Sequence, residues 1–124
     1  MQRILKRNIK RLKKGITIIK FNNMITFTEL EIKVRNWAIE KGIDKPENAP
    51  KQMLKVMEEV GETAGALLKG KEDEIKDGIG DSFVTLIILA QQLGYSPTEC
   101  LQLAYDEIAD RKGKTVGGVF VKDE

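Results

Sequence analysis

Three glycines, Gly42, Gly70 and Gly94, separate segments of the chain in which apolar residues recur every three or four positions. Glycine often follows the last turn of a helix because it adopts a left-handed backbone conformation without strain. The segments also open with helix-start signals, which are prolines in the first turn and Ser/Thr-x-x-Glu capping boxes. Together, these helix-start and helix-stop signals predict an all-α domain of four helices.

The caps and stops give approximate bounds for each predicted helix. The helices run from Thr28 to about Lys41, from Asn48–Pro50 to Gly70, from Lys71–Glu74 to Leu93, and from Ser96–Pro97 to about Arg111. Capping boxes that begin at Thr28 and at Ser96 open the first and the fourth. Beyond Gly113, the composition of residues 116–121 predicts a short strand or hairpin in a C-terminal tail.

Apolar periodicity predicts which faces are buried. On the second helix the residues expected to face the core are Met53, Val56, Met57, Val60, Ala64, Leu67 and Leu68. The stretch Phe83–Ala90 is apolar almost all round, so the third helix is expected to be central and the most buried. Cys100, the single cysteine, is expected in the core rather than as a nucleophile.

Charge is distributed unevenly along the chain. Residues 1–23 carry eight basic residues and no acidic one, whereas residues 24–124 carry 13 basic and 19 acidic residues. We therefore expect a basic N-terminal extension, residues 1–23, followed by an acidic helical domain, residues 24–124. The extension is either a poorly ordered tail or an arm that binds an anionic surface. The acidic body argues against a nucleic-acid partner.

The absence of histidine narrows the possible chemistry. Ser-His-Asp and Cys-His catalysis are excluded, as are the usual zinc sites. Any metal would be held by oxygen ligands, which favours Mg²⁺, Mn²⁺ or Ca²⁺. No apolar run is long enough to cross a bilayer, and the lone cysteine excludes an internal disulfide, so the expected location is the cytoplasm.

Carboxylates recur on two consecutive predicted helices. Glu58, Glu59 and Glu62 lie on one side of the second helix, and the third helix carries Glu74, Asp77 and Asp81 on one face. A short turn at Gly70 would make these helices antiparallel neighbours and set Glu59 and Glu62 opposite Asp77 and Asp81. Such a cluster would repel itself unless a divalent cation sat within it, so it predicts a metal site. The alternative is a solvated acidic face.

Four runs of the sequence resemble MazG-like nucleotide pyrophosphohydrolases: Lys55–Glu62, Ile79–Asp81, Leu101–Lys112 and Gly118–Lys122. The resemblance covers about residues 25–122 and is greatest to short, single-domain forms of phages and Gram-positive bacteria. The family pattern is Glu-x-x-Glu, a spacer, then Glu-x-x-Asp. Glu59, Glu62 and Asp81 fit it, but Gly78 stands where the pattern has glutamate. Either Asp77 or a water supplies the missing ligand.

The resemblance implies an all-α enzyme that hydrolyses nucleoside or deoxynucleoside triphosphates to monophosphate and pyrophosphate with Mg²⁺, or with Mn²⁺ instead. Glu59, Glu62 and Asp81 would be metal ligands together with Asp77, and Glu58 a nearby ligand or base. Members of the family are usually homodimers or homotetramers. The alternative is a catalytically weak protein of the same fold that binds a nucleotide or a partner.

Four further residues are candidates for nucleotide binding. Lys55, Arg111 and Lys112 could reach phosphate, and the alternative for all three is a solvated surface. Trp37, the sole tryptophan, could stack on the nucleobase, and its alternative is a place in the core.

Overall fold

The computed structural model describes residues 24–124. They form helices α1 (Phe27–Glu40), α2 (Ala49–Leu68), α3 (Glu72–Gln92) and α4 (Pro97–Ala109), with a 3₁₀ turn at Pro46–Asn48. Strands β1 (Gly113–Val116) and β2 (Val119–Lys122) follow as a hairpin. The predicted all-α fold of four helices with a C-terminal hairpin is confirmed. The predicted basic extension, residues 1–23, lies outside the described residues.

The chain divides into two units, Met1–Lys33 and Val34–Glu124, and the division falls within α1. The described part of the first unit is residues 24–33, which include the start of α1. The second unit holds the rest of α1, helices α2 to α4 and the hairpin. The predicted domain boundary at Met24 stays a prediction.

The start of α1 corrects one predicted cap. The hydroxyl of Thr26, not that of Thr28, accepts the backbone N–H of Glu29 at 3.2 Å. Both threonines begin a Thr-x-x-Glu sequence, and the earlier one adds a further backbone hydrogen bond, from Leu30 N–H to Thr26 O at 3.1 Å. At α4 the predicted cap is confirmed, because Ser96 Oγ accepts the N–H of Glu99 at 3.3 Å.

Glycine ends α2 and α3 as predicted. Gly70 and Gly94 adopt φ of 66° and 75°, in the left-handed region. After Gly70, the N–H of Lys71 returns to the carbonyl of Ala66 at 3.1 Å, which closes the last turn of α2. Because the link is so short, α3 runs back along α2, and Gln52 near the start of α2 donates to the carbonyl of Thr85 late in α3 at 3.0 Å.

The core of the second unit is small. Its buried apolar residues are Ala38, Ala49, Val56, Ala66, Ile87 and Ile88. Hydrogen bonds from amide side chains connect α3 to the segments around it. For example, Gln92 donates a hydrogen bond to the carbonyl of Ile43 at 2.7 Å. Of the described helices, α3 carries the most buried residues, as expected. Even so, Leu86 remains 47% exposed on it.

Most of the apolar stripe predicted to line the core on α2 is exposed in the single chain. Val56 is buried, but Met57 is 60% exposed, and Met53, Val60 and Leu67 are exposed as well. The face of α2 that meets α3 instead carries polar and small residues. On α3 a second row of exposed apolar residues is displaced from the face that meets α2. We call these rows the outer apolar stripes: Met53, Met57, Val60 and Leu67 on α2, and Ile79, Phe83, Leu86 and Leu93 on α3.

Helix α4 contains no buried residue. Its apolar side chains, including Leu101 and Leu103, are exposed. The expectation that Cys100 lies in the core is wrong, because this residue on α4 is exposed too. Within residues 24–124, no helix is both long and apolar enough to cross a membrane.

The C-terminal hairpin pairs β1 with β2 in antiparallel register, with Thr115 opposite Phe120. Gly117 and Gly118 form the two-residue turn, and both have positive φ. Two-residue turns of this kind match the twist of the flanking strands, and they favour glycine because other residues are strained there. The prediction of a hairpin over residues 116–121 is confirmed, with longer strands than expected.

Candidate metal centre

A pocket of about 200 Å³ lies between α2 and α3. We call it the acidic pocket, and its lining residues are Glu59, Glu62, Thr63, Ala66, Glu74, Asp77, Gly78 and Asp81. Its floor and walls come from the facing sides of two antiparallel helices, which place successive turns of α2 opposite successive turns of α3 in reverse order. The Gly70 turn is what brings two separate carboxylate motifs to one place.

The structure brings together all four residues predicted as metal ligands. Glu59 and Glu62 line the acidic pocket from α2, and Asp77 and Asp81 line it from α3. Glu58 is not part of the lining, and its carboxylate accepts a hydrogen bond from Lys55 at 3.1 Å. The metal-binding and catalytic roles given to these residues stay predictions.

A lysine of α2, Lys55, lies beside the acidic pocket. The Lys55 ammonium contacts Glu58 at 3.1 Å and Glu59 at 3.6 Å. The hydrogen bond and charge of Glu58, and then those of Glu59, raise the pKa of Lys55, so its ammonium stays protonated. The side chain of Glu59 is only 13% exposed, so Lys55 partly neutralises a carboxylate that is largely buried.

The other predicted ligands have no such neutralisation within the described chain. Among residues 24–124, no lysine or arginine forms an ion pair with Glu62, Asp77 or Asp81. Glu74, also in the lining, pairs with Lys71 at 3.4 Å on the exposed surface. Glu62, Asp77 and Asp81, which no cation of residues 24–124 neutralises, therefore share one small pocket with the partly neutralised Glu59.

The carboxylates are not drawn into a tight cluster. Within residues 24–124, no three acidic or cysteine side chains lie close enough to hold a metal ion as they stand. Like charges separate when nothing positive lies between them, so spreading around the pocket is the expected arrangement. The donor set itself consists only of oxygen atoms, and that chemistry fits a hard divalent cation such as Mg²⁺.

Gly78 and Thr63 mark a point of very close approach between the two helices. Gly78 is buried, and a Cβ placed on it would collide with Thr63 Oγ1 and lie 3.1 Å from Thr63 Cβ. The side chain that the family pattern has at this position therefore has no room here unless Thr63 moves. The Thr63 hydroxyl itself donates to the carbonyl of Glu59 at 2.7 Å.

Two lining residues with polar side chains, Thr63 and Glu74, were not among the predicted ligands. Glu74 was placed on the correct face of α3 by its spacing from Asp77 but was given no role. Thr63 was not considered, although it follows Glu59 by four residues and so lies one turn further along the same face. The four-residue spacing from Glu59 is the sequence feature that would have predicted Thr63 in the lining.

The candidate nucleotide contacts do not line the acidic pocket. Arg111 pairs with Glu107 at 2.9 Å near the end of α4, and Lys112 follows it on the exposed surface. Trp37 on α1 is 47% exposed, so the alternative of a core position is wrong for the single chain. Contacts of these residues with phosphate or base stay predictions.

A family model for the MazG nucleotide pyrophosphohydrolase domain matches residues 48–115, which is more than half of the chain. The chain belongs to the MazG family. The matched range holds α2, α3 and α4 and includes every residue of the acidic pocket. The resemblance inferred from the sequence motifs is thereby confirmed, and the MazG domain suggests pyrophosphohydrolase activity.

A relative of this MazG chain occurs in Haemophilus phage HP1 (strain HP1c1), where it is an uncharacterised 18.2 kDa protein of the rep-hol intergenic region. The two are 39% identical over 69 residues, a segment that covers 56% of this chain and 42% of the phage protein. The matched part is thus less than half of the phage protein. No solved structure matches the chain.

Proposed function

We propose that this protein hydrolyses nucleoside or deoxynucleoside triphosphates to the monophosphate and pyrophosphate, with Mg²⁺ or, in its place, Mn²⁺. The observation that carries the proposal is the acidic pocket, where unpaired carboxylates of two facing helices meet inside the region that matches the MazG domain. A solvated acidic face would not need its carboxylates gathered between helices.

Glu59, Glu62 and Asp81 are the proposed metal ligands, with Asp77 beside them. A bound Mg²⁺ supplies charge neutralisation for the phosphates and activates the attacking water. Glu58, one residue from Glu59, is proposed as a further ligand or as the base that accepts a proton. Its pairing with Lys55 at 3.1 Å keeps it beside the pocket and outside its lining.

The size and lining of the acidic pocket support binding of the phosphate end of a nucleotide rather than its base. At about 200 Å³, the pocket is smaller than the roughly 300–1,000 Å³ typical of sites that enclose a drug-sized ligand. No aromatic side chain from residues 24–124 lines it. We propose that Lys55 contacts phosphate from the adjoining turn of α2, and that Arg111, Lys112 and Trp37 bind parts of the nucleotide that extend beyond the pocket.

We propose that a second copy of this chain covers the outer apolar stripes, giving a homodimer or homotetramer. Exposed apolar side chains in continuous rows on α2 and α3 leave much of the apolar surface in water. In the described part of the chain, no large side chain is completely buried. A folded monomer of this size normally buries more of its apolar surface than this.

The direct test is pyrophosphate release from a panel of canonical, deoxy and damaged nucleoside triphosphates, with Mg²⁺ or with EDTA. Metal-dependent release from any substrate would support the activity and would identify the preferred base. We expect the enzyme to act in the cytoplasm, where these nucleotides occur. Release that persists unchanged in EDTA would contradict the proposed metal dependence.

A second candidate is a catalytically weak protein of the same fold that binds a nucleotide or a partner. Gly78 favours it, because the family pattern has a carboxylate at that position and the packing of Thr63 leaves no space for one. Metal and nucleotide binding by folded protein, with no release from any substrate on the panel, would identify this candidate.

A further inference from the structure

We propose that Thr63 replaces the missing carboxylate of this metal centre by directing a neutral hydroxyl oxygen toward the bound cation. The inference rests on the proposed metal centre and extends it to a residue without charge. It concerns metal binding, so it can be tested without nucleotide.

The position of Thr63 is the first argument. Its side chain lines the acidic pocket together with Glu59, Glu62 and Asp81. The Oγ1 atom occupies the space that the first atom of any side chain at residue 78 would need. An oxygen from α2 therefore lies where the family pattern would begin a carboxylate side chain from α3.

The hydrogen bonding of Thr63 is the second argument. A threonine hydroxyl has one proton and two lone pairs. The Thr63 hydroxyl donates its one hydrogen bond to the carbonyl of Glu59, at 2.7 Å. The oxygen can then interact with anything in the pocket only through its lone pairs, which is what a metal ligand requires. Threonine hydroxyls serve as Mg²⁺ ligands in phosphate-binding loops, so the chemistry is suitable.

The same hydrogen bond fixes the oxygen in place. It links Thr63 to the backbone of Glu59, a proposed ligand one turn earlier on the same helix. The neighbouring Gly78 leaves room for this rotamer, whereas any larger residue there would push the hydroxyl away. Thr63 and Gly78 thus act as a matched pair, in which the small residue on α3 permits the oxygen on α2.

The test compares Thr63→Val, which keeps the branched shape but removes the oxygen, with Thr63→Ser, which keeps the oxygen. Mn²⁺ affinity is measured by calorimetry or electron paramagnetic resonance without nucleotide. We expect Thr63→Val to bind Mn²⁺ on the order of ten-fold more weakly, as for other groups that support metal ligands. Thr63→Ser should stay within about two-fold of the unmodified protein, since it keeps the ligating oxygen. Urea unfolding of the metal-free proteins, followed by Trp37 fluorescence, should show no comparable difference between the two variants.

The outcomes separate this inference from the proposed function. If the unmodified protein binds Mn²⁺ and Thr63→Val binds it equally well, the role of Thr63 is wrong and the metal centre stands. If Thr63→Ser loses as much affinity as Thr63→Val, the methyl group and packing matter rather than the oxygen, and the inference is again overturned. If the unmodified protein takes up no Mn²⁺, both the metal centre and the role of Thr63 fall.

Discussion

Helices α2 and α3 each have an inner face, where the two helices meet, and an outer face, which carries the outer apolar stripes. The two faces differ in composition. Where the two helices meet, the chain places carboxylates, a threonine and a glycine, and it gathers like charge in a small pocket. Away from that contact, the same helices carry rows of exposed Met, Val, Ile and Leu side chains. A chain whose sequence served only its own stability would place the apolar side chains where the helices meet and the carboxylates in water, because apolar burial is the main stabilising term in folding.

This reversal indicates what each face requires from outside the single chain. On the inner face Lys55 contacts Glu59, but no lysine or arginine of residues 24–124 forms an ion pair with Glu62 or Asp81. Within residues 24–124, the outer apolar stripes are largely exposed to water. A divalent cation would neutralise the carboxylates of the inner face, and a second copy of the chain would cover the apolar side chains of the outer face. The two requirements are chemically different, so substitutions can test them separately.

The largest effect is expected on the inner face. Glu62→Gln and Asp81→Asn each remove a proposed metal ligand while keeping the side-chain shape. We expect pyrophosphate release to fall roughly a thousand-fold or more, because metal ions contribute several kcal/mol to such reactions. Asp73→Asn, on the exposed first turn of α3 and outside the pocket lining, is the control and should keep its activity. Full activity in both ligand variants would contradict the site.

The next largest effect is expected on the outer face. Met57→Lys and Leu86→Lys place a charge within the outer apolar stripes, at positions that are 60% and 47% exposed. We expect the dissociation constant of the oligomer to rise about a hundred-fold, since an unpaired charge in an apolar interface costs several kcal/mol. Light scattering at several concentrations would measure it. Glu47→Lys, at an exposed polar position, should leave the mass unchanged. A monomeric unmodified protein would contradict the proposed assembly.

The local parts of the fold were predictable from the sequence, because caps and stops act over a few residues. Gly70, Gly94 and Ser96 do what their positions suggest, since each acts on the backbone of its own helix end. The cap of α1 was misplaced for an equally local reason. Thr26 and Thr28 both fit the capping pattern, and spacing alone does not choose between them.

The predictions that failed depend on which surfaces meet. Periodicity identified the apolar stripe on α2 correctly, yet it does not distinguish burial within one chain from burial against another. Met57 was therefore assigned to a core that the single chain does not provide. The four residues predicted as metal ligands line one pocket because a short turn makes the neighbouring helices antiparallel. Thr63 was not predicted to join them, because its close approach to Gly78 is formed across the helix interface.

The contact between Thr63 and Gly78 provides the next test, because it fixes how closely the inner faces approach. Gly78→Ala would drive a Cβ into Thr63, and such overpacking typically costs about 1–3 kcal/mol, offset by up to about 1 kcal/mol of helix propensity. We expect a net loss of stability in urea unfolding. Gly80→Ala, two residues on with open space around its Cβ, is the matched control and should gain up to about 1 kcal/mol. Equal effects of the two substitutions would show that the helices are not in close contact at Gly78.

The smallest effect is expected at Lys55, which lies where the acidic face of α2 meets water. Lys55→Met removes the cation that contacts Glu58 and Glu59 and that we propose contacts phosphate. The proposed contact with phosphate would be made both in the substrate complex and in the transition state. Its loss should therefore raise KM about three- to ten-fold with kcat nearly unchanged. Lys76→Met, whose ion pair with Glu72 lies on the exposed start of α3, is the control for charge alone. A fall in kcat equal to the fall in kcat/KM would instead show that Lys55 acts only in the transition state. The lysine would then belong to the catalytic machinery of the inner face.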